Sequence, residues 1–106
     1  MRVILEVHSG PLTGKKIWLR SGQRVVVGRT EGSECVIPND GQISGRHFSL
    51  DCSSEECLVR DLGSSNGTFL NGQRVEESLI QNRDRILAGQ TTFVVLIENT
   101  SSITPP

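Results

Sequence analysis

The chain has 106 residues, 35% of them apolar and 4% aromatic, with a formal net charge of −1. That length suits one domain and is too short for two. The lack of a basic excess argues against a domain that coats nucleic acid, and no apolar run approaches the ~20 residues of a membrane-crossing helix. With so few aromatics, the core must rest on Val, Ile and Leu, with Trp18, Phe48, Phe69 and Phe93 as its large pieces.

Along the chain, period-2 alternation and β-branched residues dominate and helical periodicity is almost absent. Met1 to Val7 reads as a first strand. Ser9 to Gly14 is turn chemistry, with Pro11 fixing φ and two glycines open to positive φ. Lys15 to Leu19 alternates, placing Ile17 and Leu19 on one face and Trp18 on the other. After the Ser21-Gly22 turn, Gln23 to Gly28 contains Val25-Val26-Val27, a strand expected to be buried on both faces. A loop from Arg29 to Cys35, interrupted by Gly32, leads to a very short strand at Val36-Ile37, stopped by Pro38.

Asn39 to Arg46 is a second long loop. Phe48 to Cys52 and Cys57 to Asp61 form a hairpin around Ser53-Ser54-Glu55-Glu56. Gly63 to Gly67 is a third loop. Thr68-Phe69-Leu70 and Gln73-Arg74-Val75 flank Asn71-Gly72, the strongest short hairpin signal there is. Leu79-Ile80 and Arg85-Ile86-Leu87 flank a polar turn, and Thr91 to Ile97 is a long final strand. The segment Glu76 to Arg85 has no apolar stripe of helical period and is read as strand ends and a turn. Ten or eleven short strands at close spacing imply an all-β sandwich or barrel. The domain is placed at residues 1–98, and 99–106, ending Thr104-Pro105-Pro106, is read as a tail or the start of a linker.

Residues 1–7 lack the long apolar stretch of a signal peptide, and Glu6 interrupts them. A cytoplasmic location is therefore expected, with the chain as part of a larger polypeptide. Cys35, Cys52 and Cys57 are an odd number, which fits a reduced compartment better than a disulfide framework. Cys52 and Cys57 flank a hairpin loop, so a disulfide between them under oxidising conditions stays open. Their spacing has no Cys-x-x-Cys pair, and no metal or other cofactor is expected.

Three polar signatures stand where strands should end: Gly28-Arg29, Ser44-Gly45-Arg46-His47 and Ser64-Ser65-Asn66-Gly67-Thr68. Each sets a hydrogen-bond donor on a loop. Arg29, the Ser44 hydroxyl, Arg46 and the Asn66 amide together suit a dianionic phosphate and the peptide that bears it. Such a group carries about −1.5 to −2 charges and three strong acceptor oxygens. Arginine stays charged and binds two oxygens at once, and Asn both donates to and accepts from a main chain.

The ordered set, with Cys35-Val36-Ile37-Pro38 and Asp61 to Gly72 around it, resembles the forkhead-associated (FHA) domain, a phosphothreonine-peptide reader. The resemblance covers about Met1 to Glu98. It implies a β-sandwich of about eleven strands in two sheets (SMAD/FHA-like), with binding loops at one end and a phosphothreonine-containing protein or peptide as partner. Neither nucleic acid nor membrane is expected as a partner. By position, it implies that Arg29 contacts the phosphate, Ser44 donates its hydroxyl, Ser65 lines the pocket, Asn66 holds the peptide main chain, and His47 braces the loop from behind. Gly28 and Gly67 support the loops. Gly45 stands where family members often carry a polar or basic side chain, so one phosphate contact is either lost or replaced by Arg46 or a backbone N–H. Arg83-Asp84 likewise replaces a common Gly-Asp turn.

Other readings are weaker. Gly10 to Lys16 approximates a phosphate-binding P-loop, but it is one residue short, has Lys16 for Ser or Thr, and no helix follows. A hydrolase using Ser44 with His47, and Asp51 or Asp61 as third member, lacks the strand–serine–helix elbow that exposes a nucleophile. Arg60 and Arg74 are expected to face solvent from within strands. The alternative to a phosphothreonine reader is a phosphate-independent scaffold domain of the same fold, suggested by Gly45.

Overall fold

The computed structural model describes residues 2–10, 12–30, 33–37 and 40–98. Expectations for Met1, Pro11, Gly32, Pro38, Asn39 and the 99–106 tail lie outside those residues. The elements are β1 (Arg2–Ser9), β2 (Lys16–Arg20), β3 (Arg24–Gly28), β4 (Cys35–Val36), β5 (Phe48–Cys52), β6 (Cys57–Asp61), β7 (Thr68–Leu70), β8 (Gln73–Val75), β9 (Glu77–Ile80), β10 (Asp84–Ala88) and β11 (Thr91–Glu98). One sheet has the order β2-β1-β11-β10-β7-β8 and the other β4-β3-β5-β6-β9. Pairings are antiparallel except β3 with β4, which is parallel. The chain is thus the all-β two-sheet sandwich that the strand spacing implies. No helix among the described residues is long and apolar enough to cross a membrane.

Alternation decides what each strand buries. In β1, Val3, Leu5 and Val7 point into the core, while Ile4 and Glu6 face outward and are half-buried. In β3, Val25, Val26 and Val27 are all buried, as a run of three valines predicts. Phe48 and Phe93 meet edge to face between the sheets, with centroids 5.4 Å apart, a geometry worth about 0.5–1.5 kcal/mol beyond area burial. The β7–β8 turn uses Asn71 and Gly72 at φ 50° and 87°, the pair of positive values a two-residue type I′ hairpin needs. The β9–β10 turn instead carries the chain from one sheet to the other, since β9 pairs with β6 and β10 with β7 and β11.

Two expectations are corrected. Trp18 is 59% exposed and Phe69 only half-buried, so neither is a main piece of the core. Trp18 lies on the outward face of β2, an edge strand, where no second layer covers it. The cysteines do not all remain thiols: Cys52 and Cys57 are direct cross-strand partners with Cα atoms 4.1 Å apart and are joined as a disulfide, leaving Cys35 free and buried. The hairpin register puts them side by side.

Register also gathers the loops. Val27 faces Phe48, and Phe48 faces Asp61. The end of β3, the start of β5 and the end of β6 therefore stand side by side, and the three polar signatures leave adjacent strand ends.

Candidate functional site

The first signature is held by a steric requirement. A β-carbon on Gly28 would coincide with the Gly45 carbonyl and press on the Ser33 hydroxyl. Only glycine lets the Ser44-Gly45 backbone lie against the end of β3. The approach is then fixed by main-chain bonds from Arg29 N–H to the Ser44 carbonyl, at 3.0 Å, and from Thr30 N–H to the Gly45 carbonyl, at 3.2 Å. The hydroxyls of Thr30 and Ser33 also donate to the Gly45 carbonyl, at 3.1 and 3.0 Å. A side chain at position 45 would meet Thr30 Cγ2 at 3.1 Å, so the glycine there matches the packing of Thr30.

Arg29 is exposed, and its Nη1 donates to the Gly41 carbonyl at 3.2 Å. Ser44 is half-buried; its Oγ accepts the Ser65 N–H at 3.0 Å. Its own hydroxyl proton has no acceptor among the described residues and is available to an anion. Asn66 is exposed, and its Nδ2 donates to the Gln42 carbonyl at 2.8 Å, leaving its Oδ1 and second amide hydrogen free among the described residues. The backbone of Arg29, Ser44, Ser65 and the loop under Asn66 is therefore one bonded surface. Arg46 is exposed and makes no polar side-chain contact among the described residues. Arg60 and Arg74 are exposed on their strands; the Arg74 guanidinium lies where a β-carbon on Gly67 (φ +90°) would stand.

His47 is fully buried behind these loops. Its Nδ1 accepts the Ser44 N–H at 3.0 Å, and its Nε2 lies 2.8 Å from the Gly67 carbonyl. A carbonyl only accepts, so the ring is neutral with the proton on Nε2. It braces the second signature against the third. The main chain of His47 extends the brace, with N–H to the Val27 carbonyl at 2.8 Å and carbonyl to the Leu62 N–H at 2.9 Å.

Two carboxylates organise the site, and neither role was read from the sequence. Asp61 accepts from the N–H groups of Gly63 and Ser64 at 3.0 and 3.1 Å, and from the hydroxyls of Ser64 and Thr68 at 2.5 and 2.7 Å. Ser64 Oγ in turn accepts the Gly67 N–H at 3.0 Å. Asp40 is fully buried. It accepts from Gln42 N–H at 3.0 Å, and from Gln90 N–H and Thr91 Oγ1 at 2.7 Å each, sewing the second loop to the β10–β11 turn. For Asp40, burial alone would raise the pKa, but the bonds from Thr91, Gln90 and Gln42 outweigh it and hold the carboxyl below its ordinary value. Asp61 follows the same logic, with Ser64, Thr68 and Gly63 as donors. The available signal for Asp40 was its type: Asp before Gly in a loop favours an Asx turn.

Comparisons with known proteins agree with this geometry. The family model described as the FHA domain matches residues 25–89. The FHA domain-containing protein FhaB of Mycobacterium tuberculosis is 44% identical over 71 residues, which are 67% of this chain and 44% of that protein. FhaA of the same organism is 30% identical over 93 residues, covering 88% of this chain and 17% of that protein. The chain thus spans less than half the length of these relatives. Among solved structures, the FHA domain of the CT664 protein from Chlamydia trachomatis superposes with a TM-score of 0.87 at 26% identity, covering 92% of this chain and 99% of that one. A domain from a structural and functional analysis of phosphothreonine-dependent FHA domain interactions has a TM-score of 0.84 at 28% identity, covering 92% and 98%. With the family model lying across all three signatures and the eleven-strand sandwich that presents them, this chain belongs to the forkhead-associated domain family.

Proposed function

We propose that this chain is a non-catalytic module that binds phosphothreonine peptides and so mediates phosphorylation-dependent protein–protein interaction in signalling. The observation that carries this reading is the meeting of Arg29, the Ser44 hydroxyl and the third loop on one bonded surface. Each hydrogen bond to a charged group contributes about 1.5–3 kcal/mol. Three or four supply much of the ~8 kcal/mol of a micromolar complex, and an unphosphorylated peptide forgoes most of it. In this reading Arg29, Ser44 and Arg46 face the phosphate, the Gly45 backbone and Ser65 line the pocket, and Asn66 takes the peptide main chain. Gly28, His47 and Gly67 keep the loops in place. The interactions studied in one similar structure were phosphothreonine-dependent, which supports the same chemistry here. Against catalysis, both His47 nitrogens are committed to main-chain partners, so neither is placed to take a proton from Ser44 Oγ. We place the module in the cytoplasm, as one domain of a longer protein.

The test is titration of a peptide, with and without phosphate on one threonine, against wild type and Arg29→Ala. The expected result is binding of the phosphorylated form alone, lost in the variant. Equal affinity for both peptides overturns the reading. It would favour a phosphate-independent scaffold of the same fold, whose one supporting observation is the absence of a side-chain donor at Gly45.

A further inference from the structure

Trp18 is the chain's single tryptophan and its most exposed large apolar side chain among the described residues. It stands at the centre of β2, the longest of the four edge strands, with five residues against two in β4, three in β8 and four in β9. Its cross-strand neighbour is Ile4, and Leu96 lies beyond that, both half-buried on the same outer face. Lys16 and Arg20 share that face two residues to either side.

The main chain of β2 shows which groups are open. The Lys15 carbonyl accepts from Val7 N–H and so points toward β1. Alternation then turns the N–H and C=O groups of Lys16, Trp18 and Arg20 away from β1. Those of Arg20 are taken by Gln23, through its side-chain oxygen and its N–H. The Lys16 and Trp18 groups have no partner among the described residues. An added strand would therefore pair directly with Trp18, its opposing side chain on the Trp18 face.

Charge selects the occupant. Arg20 lies opposite Arg2, whose own charge is taken by Glu98 at 3.1 Å, so Arg20 has a like-charged neighbour and no acidic partner among the described residues. A second copy pairing antiparallel about Trp18 would set Lys16 against Arg20 twice, and like charges directly opposite are destabilising. A cavity of about 570 Å³ lined by Arg2, Trp18, Leu19, Arg20 and Ser21 lies beside this end of the strand. We propose that the free edge of β2 takes an extended acidic segment of a partner protein as a seventh strand. Lys16 is already paired with its cross-strand neighbour Glu6 at 3.4 Å, so the segment carries an apolar residue opposite Trp18 and an acidic residue two positions away, opposite Arg20. This edge works independently of the three loops.

The probe is the acetylated, amidated and unphosphorylated peptide Thr-Glu-Thr-Val-Thr-Glu-Thr, titrated into the full chain. Trp18 fluorescence and the amide NMR signals of Lys16 and Trp18 are the readouts. Saturable shifts at those amides are expected, about 5-fold weaker in Arg20→Glu, with that variant instead favouring the peptide in which both Glu are Lys. Trp18→Pro removes the open donor at an edge position that tolerates proline; read at the Lys16 amide, which the variant keeps, the saturable shift should be abolished. Absence of saturable shifts with wild type, or an unchanged preference in Arg20→Glu, overturns the proposal. So does slow hydrogen exchange of the Trp18 amide in the free chain, which would mean that a second copy or residues 99–106 already cover the edge.

Discussion

His47 Nε2 lies 2.8 Å from the Gly67 carbonyl, and this single buried bond joins loops that are 20 residues apart. With the Ser44 N–H on its other nitrogen, the imidazole is the pin between the serine loop and the asparagine loop. Replacement by alanine leaves a buried carbonyl and a part-buried N–H unpaired, at about 1–3 kcal/mol each. His47→Ala is therefore expected to lose roughly 2–6 kcal/mol of stability. It should also weaken phosphopeptide binding although the ring touches no ligand. Urea unfolding and peptide titration of the same sample check both.

Gly28→Ala tests the packing of the first two signatures. The added methyl would fall on the Gly45 carbonyl, which is backbone and must move as a loop. Overpacking of this kind costs about 1–3 kcal/mol. The expected outcome is a lower unfolding midpoint together with a loss of phosphopeptide affinity.

Arg29→Lys keeps the charge and loses the planar fork. If one charge-assisted hydrogen bond is lost, at about 1.5–3 kcal/mol, the phosphopeptide dissociation constant should rise roughly 10- to 150-fold. Isothermal titration at constant ionic strength measures it. An unchanged constant would remove Arg29 from the phosphate.

Asp40 and Asp61 predict the acid limb of stability. Both carboxyls are held below their ordinary value in the folded chain. Each therefore contributes stability that is present above about pH 4, the unfolded value. That stability is lost as pH falls through the lower folded value. Asp40→Asn cannot accept the same set of bonds as a charged group. It should be less stable at neutral pH and show a shallower loss than wild type as pH falls below about 4. Denaturant unfolding across that range decides it.

Cys52 and Cys57 predict a thiol count. Unfolded without reductant, the chain should present one reactive thiol, from Cys35, and three after reduction. Closing so short a loop is worth about 2 kcal/mol in the chain-entropy account, so reduction should lower stability by that order.

Local pattern alone delimited much of this molecule. The alternation of Phe48 to Cys52 and Cys57 to Asp61, and the Asn71-Gly72 turn, set strands β5 to β8 at their observed ends, because strand face and turn type depend on neighbours within a few residues. The order of the three signatures was likewise enough to name the family. Sheet order decided the rest. Trp18 was counted into the core because large side chains are few, although alternation set it on the face opposite Ile17 and Leu19; only the sheet packing shows that this face of β2 is the outer one, with no layer over it. Asp40 was passed over because its partners Gln90 and Thr91 come 50 and 51 residues later and reach it only when β10 and β11 close beside the loop. The need for glycine at position 28 arises from the Gly45 carbonyl, a contact created when β3 and β5 pair. Residue type and spacing record which groups a chain can offer; which of them meet depends on strand ends brought together across the sheets.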